Sequence, residues 1–200
     1  MKMRLSSASP YVRKVNITAA VKGLSDRIEL VDADAIDDQH PLAKANPLKK
    51  VPTMVLDDGT ALFDSPVVCE YLDSLAATPV LFPSGAQRWS ALTRQALGDG
   101  IMDAGILIVY EGRYRPAELK VQSWIDMQNA KINSAIEFLN NAPPTLNGSP
   151  DIGHIAIACG LGHLDFRHEG RWRVQAPALA SWLEEFSAAV PAFAATTPTD

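Results

Sequence analysis

The chain has 200 residues, 47% of them apolar and 20% charged, with a formal net charge of −5. That composition supports a packed core in one large domain or two small ones and argues against whole-chain disorder. The acidic balance and the lack of any long Lys/Arg run argue against nonspecific nucleic-acid binding.

Chain order carries the fold signal. Met3 to Leu5 reads as a short buried strand. Ser9-Pro10 reads as a helix start, because Ser caps free N–H groups and Pro fits the first helical position. Ile17, Ala20, Val21 and Leu24 then recur on one helical face, and Gly23 marks the end. Ile28 to Val31 is a second strand, and Asp32 to His40 reads as loop. The segment Asn46 to Leu56 ends strand-like, with Pro52 unable to donate to a ladder. Asp58-Gly59 signals a two-residue hairpin turn, with Ala61 to Phe63 returning. Asp64-Ser65-Pro66 opens another helix by the same Ser-Pro logic, with Val67, Val68, Tyr71, Leu72 and Leu75 on its apolar face.

Ala76 to Gly85, with Pro79, Pro83 and Gly85, reads as a linker. Everything beyond it is helical in period. Trp89, Leu92 and Ala96 open one long helix. Val121, Trp124, Ile125, Gln128, Ile132, Ala135, Ile136 and Leu139 mark a second. Ile152, Ile155, Ala156 and Cys159 mark a third, and Leu179, Trp182, Leu183 and Phe186 a fourth. The predicted architecture is therefore a mixed α/β domain over residues 1–77 and an all-α domain over residues 86–200. A parallel strand–helix–strand unit followed by a hairpin makes a mixed four-stranded sheet, as in the thioredoxin-like fold.

Cys69 and Cys159 stand far apart with no CxxC spacing, so neither a disulfide framework nor a zinc site is expected, and both read as buried thiols. His154, His163 and His168 lack partners at ligand spacing, and no metal is expected. The N-terminus lacks a secretory apolar stretch, and no apolar run approaches the roughly 18 residues of a membrane span. A cytoplasmic location and no membrane association are the resulting expectations.

Several segments, taken together and in order, resemble the glutathione transferase superfamily over nearly the whole chain. Ala8-Ser9-Pro10-Tyr11-Val12-Arg13-Lys14-Val15 resembles the start of its first helix. Asn46-Pro47 with Lys49-Lys50-Val51-Pro52-Thr53 resembles its cis-proline segment, and Asp64-Ser65 its acidic-Ser pair. Leu161 to Arg167 resembles a segment of bacterial members, and Pro177-Ala178-Leu179 to Phe186 their penultimate helix.

The resemblance implies an enzyme that activates the glutathione thiol for attack on a small electrophile, with glutathione as co-substrate. Free glutathione is mostly thiol at neutral pH, since its pKa resembles that of cysteine at about 8.5. A hydroxyl beside a helix N-terminus stabilises the anion without a metal. By resemblance to serine-type members, Ser9 contacts the sulfur; Ser6 and Ser7 compete for that role, and Tyr11 is not at the position used by tyrosine-type classes. The resemblance further implies that a cis Val51-Pro52 bond presents the Val51 backbone to the cysteinyl backbone of glutathione. Ser65 and its helix N-terminus take the γ-glutamyl carboxylate and Asp64 takes the ammonium; Lys50 is a candidate to neutralise the glycyl carboxylate, with a solvated surface lysine as the alternative. Tyr110 or Arg113 on the long helix is a candidate to line the electrophile pocket. A homodimer is implied as well.

No Cys occurs at positions 6 to 10, which argues against a thiol–disulfide exchanging class. A non-catalytic glutathione-binding or scaffold protein is the alternative, since fold does not fix function. One departure concerns the helix beginning near Ile152. Asp151 can cap it, but His154 cannot return a permanent negative charge, which leaves the reciprocal half of a capping box in doubt.

Overall fold

A computed structural model describes residues 1–33, 41–146 and 148–199. The predicted loop over Asp32 to His40 lies mostly outside the described residues.

Four strands form one mixed sheet in the order β2-β1-β3-β4: β1 (Lys2–Leu5), β2 (Glu29–Asp32), β3 (Thr53–Val55) and β4 (Ala61–Leu62). β1 runs parallel to β2, with Met3 opposite Leu30. It runs antiparallel to β3, with Met3 opposite Met54, and β3 pairs antiparallel with β4. The crossover from β1 to β2 is α1 (Pro10–Val21), whose end is marked by Gly23 at a φ of 67°. A short α2 (Pro41–Ala45), not signalled by periodicity, precedes the Asn46 loop.

The hairpin turn differs from the two-residue form. Leu56 N–H donates to Thr60 O at 2.8 Å and Gly59 N–H to Leu56 O at 3.0 Å. Asp58 does not take positive φ, whereas Gly59 does, at 88°. The result is a three-residue loop closed by a left-handed glycine, another form that keeps the strand twist.

Capping of α3 (Ser65–Ser74) also differs. Asp64, not Ser65, is the cap, and its carboxylate accepts from Ser65 N–H. Pro66 at the next position has no N–H, so the acceptor is used one residue earlier than usual.

Among the described residues six α-helices follow: α4 (Gly85–Tyr114), α5 (Gln122–Asn141), α6 (Ile152–Arg167), α7 (Trp172–Gln175), α8 (Pro177–Ala189) and α9 (Pro191–Ala195). α6 is the core of this part, with every residue from Ile152 to Leu164 buried. α4 lies backbone to backbone against it: a Cβ on Gly98 would stand 2.4 Å from the Ala156 carbonyl carbon. Trp89, one of the apolar residues that open α4, is 69% exposed. The inner face is built from Ala91, Gln95, Gly98, Ile101, Met102, Ala104 and Gly105. Small residues win there because close helix approach excludes an indole.

The capping box of α6 is complete. Asp151 accepts from His154 N–H at 3.1 Å, and His154 Nδ1 lies 3.2 Å from Asp151 N–H. His154 Nδ1 also stands 2.7 Å from Asp151 Oδ1, and Nε2 stands 3.2 Å from Thr145 O, so a protonated ring donates to both acceptors.

The irregular segment between α3 and α4 is tied down. Lys22 Nζ donates to Asp73 Oδ1 at 2.7 Å, Ala76 O at 2.6 Å and Pro79 O at 2.6 Å. Asp73 in turn accepts from Leu81 N–H at 2.9 Å and Phe82 N–H at 3.1 Å. All three Lys22 donors are used, which is how a buried ammonium is tolerated.

α1 is buried on more than one face. Ala20 is exposed, whereas Arg13 and Lys14 are buried. The helix lies between α3 and the C-terminal helices, so its second face meets α4, α6 and α9.

Candidate functional site

Sheet register brings the predicted site residues to one end. Arg4 is level with Thr53, and Met54 with Leu62. The chain therefore leaves β1 into the Ser6–Ser9 loop, enters β3 from Val51-Pro52 and leaves β4 into Phe63-Asp64 at the same edge. Buried Met3 on β1 and Met54 on β3, which stand opposite each other, help to fix this register, because a one-residue slip would invert every side chain.

Ser9 is the N-cap of α1, with φ −81° and ψ 121°. Its Oγ accepts from Val12 N–H at 3.3 Å. A hydroxyl that accepts one bond keeps its own hydrogen for another acceptor. Ser9 N–H donates to Ser6 O at 3.0 Å, closing the loop in front of the helix. Ser7 is turned elsewhere, its Oγ donating to Thr199 O at 3.2 Å. Ser6 is exposed. Of the three serines, Ser9 alone caps the helix N-terminus.

Val51-Pro52 is cis. Pro52 is buried and Val51 half-buried. Neither the N–H nor the C=O of Val51 has a backbone partner among the described residues. A brace that pattern reading did not assign shapes this loop. Buried Asn46 donates through Nδ2 to Lys50 O at 3.1 Å and to Thr53 Oγ1 at 3.0 Å, while its Oδ1 accepts from Leu48 N–H at 2.9 Å. Thr53 Oγ1 donates to Lys50 O at 2.8 Å. An amide with donors and an acceptor placed just before a proline turn is the signal that could have revealed it.

Asp64 is exposed at the start of α3, and Ser65 is buried beneath it with a hydroxyl that has no partner among the described residues. The peptide between Phe63 and Asp64 is cis. Lys50 is exposed on the loop above Pro52.

Three α1 side chains fasten this site to the helical part, and none was assigned that task from sequence. Tyr11 Oη donates to Asp103 on α4. Burial, then the Asp103 hydrogen bond and charge, push the phenol pKa upward, so Tyr11 stays a donor. Lys14 Nζ meets Asp99 Oδ1 at 2.6 Å. Arg13 Nη2 donates to Phe193 O at 2.6 Å, and its guanidinium lies 3.9 Å from the Phe193 ring centroid. Burial lowers the Arg13 pKa from its ordinary value.

Cys69 and Cys159 are both buried, and burial pushes their thiols up to about 11 and about 12. Reactive thiols need the opposite environment. Among the described residues, no cluster of three or more His, Cys, Asp or Glu could hold a metal ion. No described helix is long and apolar enough to cross a membrane. Arg113 is exposed, whereas Tyr110 lines a groove shared by α4 and α5.

Comparison with known proteins agrees with this fold. Residues 8–75 match the family description "Glutathione S-transferase, N-terminal domain", and residues 122–185 match "Glutathione S-transferase, C-terminal domain". The GST-like protein YibF of Escherichia coli (strain K12) is 34% identical over 203 residues, covering 99% of this chain and 98% of that protein. A glutathione transferase family member from Pseudomonas fluorescens Pf-5, solved with bound glutathione, is 39% identical with a TM-score of 0.92, covering 100% of this chain and 99% of that one. A glutathione S-transferase from Methylobacillus flagellatus, also solved with glutathione bound, is 32% identical with a TM-score of 0.90 and 99% coverage of both chains.

Proposed function

The chain belongs to the glutathione S-transferase superfamily, and we propose that it binds glutathione at the sheet edge and activates its thiol for attack on small electrophiles. The observation that carries this reading is the register: Ser9, Val51-Pro52 and Asp64-Ser65 share one edge. The binding unit is residues 1–77, and residues 86–200 supply the wall facing it.

In this reading the Val51 N–H and C=O pair with the cysteinyl backbone of glutathione, as an added strand would. The γ-glutamyl carboxylate sits at the N-terminus of α3 with Ser65, and the Asp64 carboxylate takes the ammonium. Lys50 faces the glycyl carboxylate. The sulfur then lies at the N-terminus of α1, where the Ser9 hydroxyl donates to it. A hydrogen bond to a charged acceptor contributes about 2 kcal/mol, and a helix terminus up to about 1 kcal/mol. Since one pKa unit is about 1.4 kcal/mol, the thiol falls by roughly two units and becomes largely thiolate at neutral pH. The thiolate lone pair forms the new C–S bond on the electrophile, whose leaving group departs with the displaced electrons. A cytoplasmic homodimer belongs to the same proposal.

A second reading is binding without turnover. It is favoured by the bond from Val12 N–H to Ser9 Oγ, which is all that a simple cap requires. Calorimetric titration with reduced glutathione, on wild type and on Ser9→Ala, separates the two. Transfer predicts retained affinity in Ser9→Ala together with loss of the ultraviolet thiolate band. An unchanged thiolate band in Ser9→Ala removes Ser9 from the role. Absence of binding by wild type at millimolar glutathione overturns the proposal as a whole.

A further inference from the structure

The C-terminal end of α4 and the start of α5 line an open groove of about 580 Å³, which contains none of the residues assigned to glutathione. Tyr110, Tyr114 and Trp124 supply its aromatic lining, with Leu107 and Val121 between them. The two tyrosine rings meet edge to face, with centroids 5.2 Å apart. One charged side chain in this lining is almost wholly buried: Glu111 is 6% exposed. Its Oε1 accepts from Arg115 Nε at 2.9 Å. Its Oε2 is out of solvent and has no partner among the described residues.

A buried carboxylate oxygen without a donor is costly, so the group that completes this groove must bring an N–H or a positive charge. Aromatic faces carry negative electrostatic potential and favour the same partner. The protein's own cations already gather on these groups. Arg115, whose side chain is 52% exposed, reaches Glu111 from the rim, and Lys131 Nζ stands 6.0 Å from the Trp124 ring centroid. We propose that this groove binds a small organic cation, an alkylammonium with an apolar or aromatic body. The ammonium meets Glu111 Oε2, the body lies among Tyr110, Tyr114 and Trp124, and Arg115 acts as an internal competitor. Tyr110 is also the candidate for the electrophile pocket, so the cation is a ligand class for that side of the transferase reading, while its binding does not require glutathione.

Calorimetric titration of the full chain, without glutathione, tests this with three probes of similar shape: phenethylammonium, 2-phenylethanol and 3-phenylpropionate. The cation is expected to bind at least about ten-fold more tightly than the alcohol, and the carboxylate more weakly than either. Glu111→Gln is expected to abolish the preference for the cation. Arg115→Ala, which releases Oε1, is expected to tighten cation binding several-fold. Equal affinity for cation and alcohol overturns the proposal. So do tighter binding of the carboxylate, no binding of any probe, weaker cation binding in Arg115→Ala, or a preference that survives Glu111→Gln. If circular dichroism shows Glu111→Gln unfolded, Trp124→Leu replaces it, and unchanged cation affinity there counts against the site.

Discussion

Lys14 and Asp99 meet at 2.6 Å, with the Lys14 side chain fully buried and that of Asp99 19% exposed. This pair joins the helix that carries the Ser9 cap to the long helix α4. Burial raises the Asp99 carboxyl more than Lys14 lowers it. Such a pair adds little net stability over a matched apolar pair, yet breaking one side is costly.

Asp99→Asn should therefore destabilise the protein by about 3 kcal/mol, because Lys14 is left buried without a counter-charge. A double replacement, Lys14→Met with Asp99→Leu, should recover most of that loss. Urea unfolding of the two variants checks both outcomes. A single mutant as stable as wild type would show that Lys14 finds another partner.

Gly98→Ala should cost at least about 1–3 kcal/mol. The added methyl would stand 2.4 Å from the Ala156 carbonyl carbon and 2.6 Å from its oxygen, and neither backbone atom can rotate away. Gly100→Ala, with open space around its Cβ position, is the control and should raise the melting temperature slightly. Thermal melts of the two variants read the difference.

His163 should make the protein acid-sensitive. It is 4% exposed, and neither ring nitrogen has a partner among the described residues. Burial, then the charges of His168 and Arg167, lower its pKa from 6.5 to about 3. The unfolded chain thus binds a proton that the folded chain refuses between those values, so stability falls as pH drops from 6.5 toward 3. The loss from this residue between pH 7 and pH 5 is about 2 kcal/mol. His163→Leu should remove that part of the slope and leave stability at pH 7 unchanged or higher. Urea titrations at both pH values decide it, and an unchanged slope would assign the sensitivity elsewhere.

The capping box at α6 gives a pH effect in a lower window. Burial raises the Asp151 carboxyl, but the hydrogen bonds and charge of His154 and the bond from Arg94 outweigh it and hold the pKa at about 2. Asp151 therefore contributes stability above its unfolded value, lost as pH falls through about 2; the total is about 2 kcal/mol. His154→Ala should cost about 1 kcal/mol at pH 7 by removing the reciprocal half of the box. Chemical denaturation near neutrality measures that cost. If it is negligible, the Asp151 N–H is satisfied without the imidazole.

Local rules sufficed for several pieces. The Ser9-Pro10 start of α1, the turn glycine at Gly59, the buried stripe of α8 and the acidic cap at Asp151 each depend on neighbours within a few residues. Propensity, period and capping chemistry are local quantities, so sequence alone determined them. Other features depend on which surfaces meet. α1 displays a polar face that would be solvated in isolation, and only α4, α6 and α9 closing over it turn Arg13 and Lys14 inward. Ser7 and Ser9 are equivalent as hydroxyls; the Thr199 carbonyl, 192 residues downstream of Ser7, engages one of them while α1 takes the other. The common edge of Ser9, Val51 and Asp64 was decided by strand register, and the orphaned Glu111 oxygen by helix packing. Those outcomes rest on close packing between distant segments, where small differences in volume choose among arrangements that the local code leaves equally good.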